Sequence, residues 1–316
     1  MKKKTIFLLL VLVILASLFI PVTQQKTIVI KSPFLRVFSL LARPENWEQW
    51  RPDLRKYILA DSNKITLHKD SGFFSIKYDL IKVDVKLQGN SFVIDDEDGS
   101  KTTSYSYEVV PVPDKLPGQT LLAVEKTTSA FKYLIGKFSA DPFPDTHAGD
   151  LKKFMETDSL LYGFHIFKTK VPGAFLLVVQ NKVLKKDEFT EAAKLLAILQ
   201  QYVKTHNVVK VQPLIAQFTP TQKDTVQVKV GFYIDKEIKP DKMVAFNRMP
   251  KGGPLYAVRF SGKFNKRQQA YNALNDYYAD RLYQSAIQPF EMYLDNKLPV
   301  SDTSHVKIQV NFSGYF

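Results

Sequence analysis

The chain contains no cysteine. That excludes disulfides, thiolate nucleophiles, thiolate-held metals and a lipidated cysteine. Histidine is sparse and scattered: His68, His147, His165, His206 and His305 show no spacing of three or four that would place two ligands on one helix face. No metal and no cofactor is expected. The acidic run Asp95-Asp96-Glu97-Asp98 lacks the alternating ligand spacing of a calcium loop. Asp98-Gly99 instead fits a hairpin turn, with the glycine supplying a positive φ. No nucleophile–base pair is recognisable.

What is present suits packed domains. The 316 residues are 45% hydrophobic and 13% aromatic, enough for two cores and rich in rings of the kind that line pockets. The net charge of +13 includes Lys2, Lys3 and Lys4. The other basic residues are dispersed rather than gathered on one helix or strand, which reads as a solvated surface tolerant of anionic lipid and not as a nucleic-acid footprint.

The three lysines precede Ile6–Val22, 17 residues in which Ser17 is the one polar side chain. At about 1.5 Å per residue the run reaches ~25 Å, slightly short of a ~30 Å hydrocarbon core. No pair of small residues suitable for signal cleavage follows it. Residues 1–23 are therefore expected to form an uncleaved, single-pass anchor in the cytoplasmic membrane. The lysines would stay inside, and residues 24–316 would lie on the extracytoplasmic side.

From residue 24 to 157 the pattern is a short strand (Thr27–Lys31), a helix opened by Ser32-Pro33, an aromatic turn Trp47-Glu48-Gln49-Trp50-Arg51-Pro52, and a series of alternating strands. The strands are expected at Tyr57–Leu59, Lys64–Leu67, Phe73–Tyr78, Val83–Leu87, Ser91–Ile94, Thr102–Val110 and Gln119–Lys126, with a closing helix ending near Gly149–Met155. A loop from Val110 to Gly118 could rim a cavity mouth. The order resembles the START-like superfamily (polyketide cyclase and lipid-transfer relatives), carried by Ile30-Lys31-Ser32-Pro33 and Trp47-x-x-Trp50-x-Pro52. That resemblance implies a helix-grip antiparallel sheet around an apolar cavity for a lipid or hydrophobic metabolite. Trp47 and Trp50 are then candidate ligand contacts, although tryptophans three apart commonly plug the end of a core.

Residues 158–316 contain an internal repeat, 160–238 and 250–316. Pro172–Val179 matches Gly252–Val258, each is followed by a helix, and then come Gln212-Pro213 and Gln288-Pro289, 76 apart. The alternating strands Val226–Val230 and Val306–Val310 close the two copies, 80 apart. Each copy is a strand-helix-strand-strand module too small to bury itself alone. The duplication resembles the GyrI-like family, the effector-binding domain of AraC-type regulators. The fold expected for the whole chain is thus α+β, a helix-grip sheet domain followed by a duplicated GyrI-like domain.

By that resemblance Glu291 is the pocket carboxylate, with Tyr293, Tyr256 and Phe290 as aromatic walls. An acid flanked by rings offers a cation both charge and quadrupole attraction. Gln217 is expected to replace it in the first copy. The competing reading of Glu291 is a carboxylate paired with a basic residue of this chain. The tyrosines of the second helix, Tyr271, Tyr277, Tyr278 and Tyr283, are assigned to core. The expected function is an extracytoplasmic, membrane-tethered binding protein for hydrophobic or amphipathic small molecules, cationic ones included, without nucleic acid as a partner. The alternative is a hydrolase or cyclase using Glu291 as acid or base.

Overall fold

A computed structural model of the chain describes residues 19–60, 65–99, 101–112, 118–136, 146–211, 213–222, 224–239, 241 and 243–314. The chain divides into two compact units, residues 1–161 and 162–316, a few residues beyond the boundary expected at 157. Both are built on antiparallel sheets with helices, as the α+β expectation required.

The first unit holds β1 (Pro21–Ile30), α1 (Phe34–Leu41), α2 (Trp47–Trp50), α3 (Pro52–Ala60), β2 (Thr66–Asp70), β3 (Phe73–Tyr78), β4 (Ile81–Gln88), β5 (Ser91–Asp98), β6 (Lys101–Pro111), β7 (Thr120–Ser129), α4 (Ala130–Gly136), α5 (Ala148–Glu156) and α6 (Asp158–Leu161). Its sheet runs β1-β7-β6-β5-β4-β3-β2. Strands β2 to β7 pair in chain order as an antiparallel meander, β3 to β7 carrying the alternation of apolar and polar residues that leaves one face to the core. Val83 and Val85, Phe92 and Ile94, Tyr107 and Val109, and Leu122 and Val124 project to one face and are buried there with Leu40, Leu41, Leu151 and Phe154 from α1 and α5. Gly99 turns the chain between β5 and β6 with φ of +61°, as its place after Asp98 suggested.

Trp47 and Trp50 belong to this core. They are 0% and 3% exposed, their rings lie 5.0 Å apart, and Trp47 packs edge-on against Phe74 while its Nε1 donates to the Leu41 carbonyl at 2.9 Å. Their assignment as ligand contacts is corrected: the short helix α2 turns both rings inward, where they close the end of the sheet. The strand expected at Tyr57–Leu59 is instead part of α3, which starts with Pro52 at its first position and Asp53 in its first turn, both favourable to a helix N-terminus.

The anchor expectation rests on residues 1–18, which lie outside the described residues, as does the Pro113–Pro117 part of the expected loop. Pro21, Val22 and Thr23 are in β1, paired with Ser129, Thr128 and Thr127, so the sheet takes the last residues assigned to the membrane segment. Among the described residues, no helix is long and apolar enough to cross a membrane.

The second unit contains β8 (Ile166–Lys170), β9 (Phe175–Leu184), α7 (Glu188–Thr205), β10 (Leu214–Gln222), β11 (Thr225–Ile234), β12 (Ala245–Arg248), β13 (Pro254–Lys263), α8 (Gln268–Arg281), β14 (Phe290–Tyr293) and β15 (His305–Ser313). The two copies are β9-α7-β10-β11 and β13-α8-β14-β15. Their strands form one sheet in the order β12-β9-β11-β10-β14-β15-β13-β8, symmetric about the β10–β14 seam. The outer strands are exchanged: β8, which leads into the first copy, pairs with β13 of the second, and β12 pairs back with β9. Each copy thus depends on the other for its edge and for its central neighbour, which explains why neither is a domain by itself.

Helix α7 packs on β9 and β11, and α8 on β13 and β15, so both helices cover one face of the sheet. Among the described residues of this unit, no helix packs on the other face.

Candidate functional site

Consecutive side chains of a strand point to opposite faces of its sheet. In β14 this places Phe290 and Met292 on the open face and Glu291 and Tyr293 beneath the helices. Register across the seam agrees, with Ile215 opposite Met292 and Ala216 opposite Glu291. Gln217 lies on the open face, so it is not the counterpart of Glu291 that the repeat suggested.

Beneath α8, Glu291 is 1% exposed and fully engaged. Arg267 Nε donates to Oε1 at 2.8 Å, Tyr271 Oη donates to the same oxygen at 2.8 Å, and Tyr293 Oη donates to Oε2 at 2.6 Å. The chain places these groups by local geometry: β13 ends at Lys263, a tight turn at Phe264–Lys266 follows, and Arg267 sits just ahead of α8 with its guanidinium 3.5 Å from the Phe264 ring centroid. Burial, reinforced by the neighbouring carboxylate, pushes the Tyr271 and Tyr293 hydroxyls well above their usual range, so both stay protonated and donate. The expectation of an unpaired carboxylate is therefore corrected. An acid enclosed at this depth costs several kcal/mol unless paired, and Arg267 with two tyrosines supplies the pairing internally.

The ring walls separate in the same way. Tyr293 is a ligand of Glu291, and Tyr256 is buried among Tyr277, Tyr278 and Tyr283 at centroid distances of 5.3, 5.8 and 5.4 Å. Both are helix-side core. An acid–base role for Glu291 loses the accessible carboxylate it needs, since both oxygens already accept hydrogen bonds.

Of the predicted site, Phe290 alone lines the cleft on the open face. This cavity, about 340 Å³, straddles the β10–β14 seam. Leu176, Val178, Ile215, Phe290 and Ile287 give it an apolar lining, and Gln217, Lys229, Asn247 and Gln288 supply polar groups. Gly231 leaves room above the strand; a Cβ there would come within 2.8 Å of the Leu177 carbonyl oxygen. Gln217 is fixed by donating from Nε2 to the Pro289 carbonyl at 2.7 Å. Tyr233, also in the lining, is buried with no hydrogen-bond partner for its hydroxyl among the described residues, and burial pushes it up to about 12. Sequence reasoning missed these residues because most of them are apolar strand positions. Period-two alternation through Phe290, Glu291, Met292 and Tyr293 was the available signal that Phe290 and Glu291 cannot share one pocket.

A second buried polar group lies in the first unit. Arg51, 1% exposed, pairs with Asp96 at 2.8 Å and with Asp53, and approaches His147 Nε2 at 3.3 Å, while His147 Nδ1 faces Asp150 at 3.2 Å. Burial raises the Asp53 carboxyl, but the hydrogen bond and charge of Arg51 outweigh it and the net shift is downward. Among the described residues, no group of three or more histidine or acidic side chains is arranged to hold a metal ion.

No family model matches the chain, and no curated protein matches it. Among solved structures, the chain is similar to the EcmrR C-terminal domain, at 17% identity over 48% of this chain and 98% of that one, with a TM-score of 0.39. A hydrolase from Listeria innocua is similar at 12% identity over 48% and 91%, with a TM-score of 0.34. A START superfamily protein from Mycobacterium smegmatis is similar at 15% identity over 42% and 97%, with a TM-score of 0.27.

Proposed function

We propose that the second unit is a receptor for an apolar or amphipathic small molecule, bound in the cleft on the open face of the eight-stranded sheet. The carrying observation is the cleft itself. It lies at the seam of two copies, is walled by aliphatic and aromatic side chains, and has a few fixed polar groups. At about 340 Å³ it falls at the small end of the ligand-site range. Its floor is rigid because β10, β11 and β14 are central strands, so little ordering accompanies binding. The chemistry is binding: among the described residues, the cleft lining contains no carboxylate, histidine or hydroxyl paired with a base.

In this reading the Ile6–Ile20 segment, preceded by three lysines, tethers the chain to the membrane with both units on the extracytoplasmic side. The first unit, its end filled by Trp47 and Trp50, serves as a folded module between tether and receptor.

The test is mass spectrometry of small molecules retained by the purified chain, compared with Leu176→Trp. That substitution puts an indole into the cleft from a half-buried position. Retention by the native chain and its loss in Leu176→Trp, with unfolding temperature unchanged, is the expected result. Equal retention by both would place the ligand elsewhere. The tether is tested by fractionation: the full chain should pellet with membranes and be degraded by protease added from the extracytoplasmic side.

A further inference from the structure

Resting on the reading that the cleft is a ligand site, we propose that its ligand is an amphiphile carrying an anionic group, with Lys229 as the counter-ion. This reverses the charge expected when Glu291 was taken for the pocket residue. Glu291 lies under α8, and its charge is matched by Arg267 at 2.8 Å. Among the described residues, the cleft lining contains one charged side chain, Lys229. Lys229 makes no ion pair among the described residues and is half-buried, so a ligand anion beside it would be partly shielded from water, where attraction between charges strengthens.

The strand supplies the matching shape. Lys229, Gly231 and Tyr233 project to the same side of β11, spanning about 13 Å at ~3.3 Å per residue. Gly231 in the middle leaves a slot bordered by Leu176, Val178 and Phe290. A slender apolar body fits over the glycine with its anionic end at Lys229. At the other end Tyr233, held protonated by burial, is a donor without a partner among the described residues. The one charged group lining the cleft among the described residues is thus a donor, which suits an anionic acceptor on a ligand and repels a cationic one.

The experiment uses three probes sharing one apolar body: 4-phenylbutyrate, 4-phenylbutanol and 4-phenylbutylammonium. Each is titrated calorimetrically into the full chain held in phosphatidylcholine nanodiscs, with empty nanodiscs subtracted. We expect the anion to bind at least tenfold more tightly than the ammonium. Lys229→Gln should bring the anion to the affinity of the alcohol while leaving the alcohol unchanged, and Lys229→Arg should keep the preference. Equal or tighter binding of the ammonium, lost in Leu176→Trp, would overturn the anionic inference and leave the cleft as a receptor site. Failure of all three probes to bind would overturn the receptor reading together with this one.

Discussion

Replacing Glu291 should cost stability and leave cleft binding intact, and the structure gives the cost an asymmetry. Breaking a buried ion pair by removing one partner costs about 3–5 kcal/mol, mostly because the remaining charge is stranded. The two partners are not equally enclosed: Arg267 keeps 21% of its side-chain surface in water, and Glu291 keeps 1%. In Glu291→Ala the orphaned guanidinium can reach solvent and still lies over the Phe264 ring, so the loss should fall near ~3 kcal/mol. In Arg267→Met the carboxylate remains enclosed with only Tyr271 and Tyr293 donating, so the loss should approach ~5 kcal/mol. The double variant should cost less than the sum of the single changes, because no charge is then stranded. For a unit of this size 1 kcal/mol moves the midpoint by about 2–4 °C, so Glu291→Ala should lower it by roughly 6–12 °C. Glu291→Gln preserves shape and an acceptor oxygen, and should cost about 1–2 kcal/mol. Thermal unfolding by circular dichroism measures all four variants. An unchanged melting temperature in Glu291→Ala, with ligand affinity abolished, would refute the structural role and restore the carboxylate as a pocket group.

Two further outcomes concern the first unit. Trp47→Ala should destabilise it by about 3–5 kcal/mol through loss of a fully enclosed indole and its bond to Leu41, with ligand affinity of the folded protein unchanged, measured by denaturant melts and calorimetry. Asp53 has a folded-state carboxyl held below its ordinary value of 3.8, so its pairing with Arg51 contributes stability above that pH and loses it as pH falls through the lowered value. Asp53→Asn should therefore be less stable than the native chain at pH 6, and the gap should narrow below pH 3.8 in acid unfolding followed by circular dichroism.

Much of the fold was legible because period-two strands and tight turns are local signals. The meander β3 to β7 follows from alternation, and Asp98-Gly99 marks its turn correctly. The repeat was visible from Gln288-Pro289 and from Val226–Val230 set against Val306–Val310. The exchange of β8 and β12 was not visible, because strand partnership is long-range and neither segment carries a register signal of its own. Residues 57–59 misled for a related reason: Tyr57-Ile58-Leu59 is a short apolar run compatible with either strand or helix, and Pro52-Asp53 ahead of it favours the helix. At the site, residue type pointed to Glu291 but not to its surroundings. Arg267 stands 24 positions earlier, and nothing in the spacing shows that the turn after β13 brings it over β14. The cleft escaped notice because its walls are ordinary aliphatic strand residues. They come together as a cleft only once the strands are paired, on a face where no helix packs among the described residues.

Photo-crosslinking with a diazirine derivative of 4-phenylbutyrate tests the central claim most directly, because it reports which face of the second unit receives the ligand. The account predicts labelled peptides from β9, β11 and the Ile287–Phe290 segment, with labelling suppressed in Leu176→Trp. Label concentrated on Arg267, Tyr271 and the rest of α8 would contradict it.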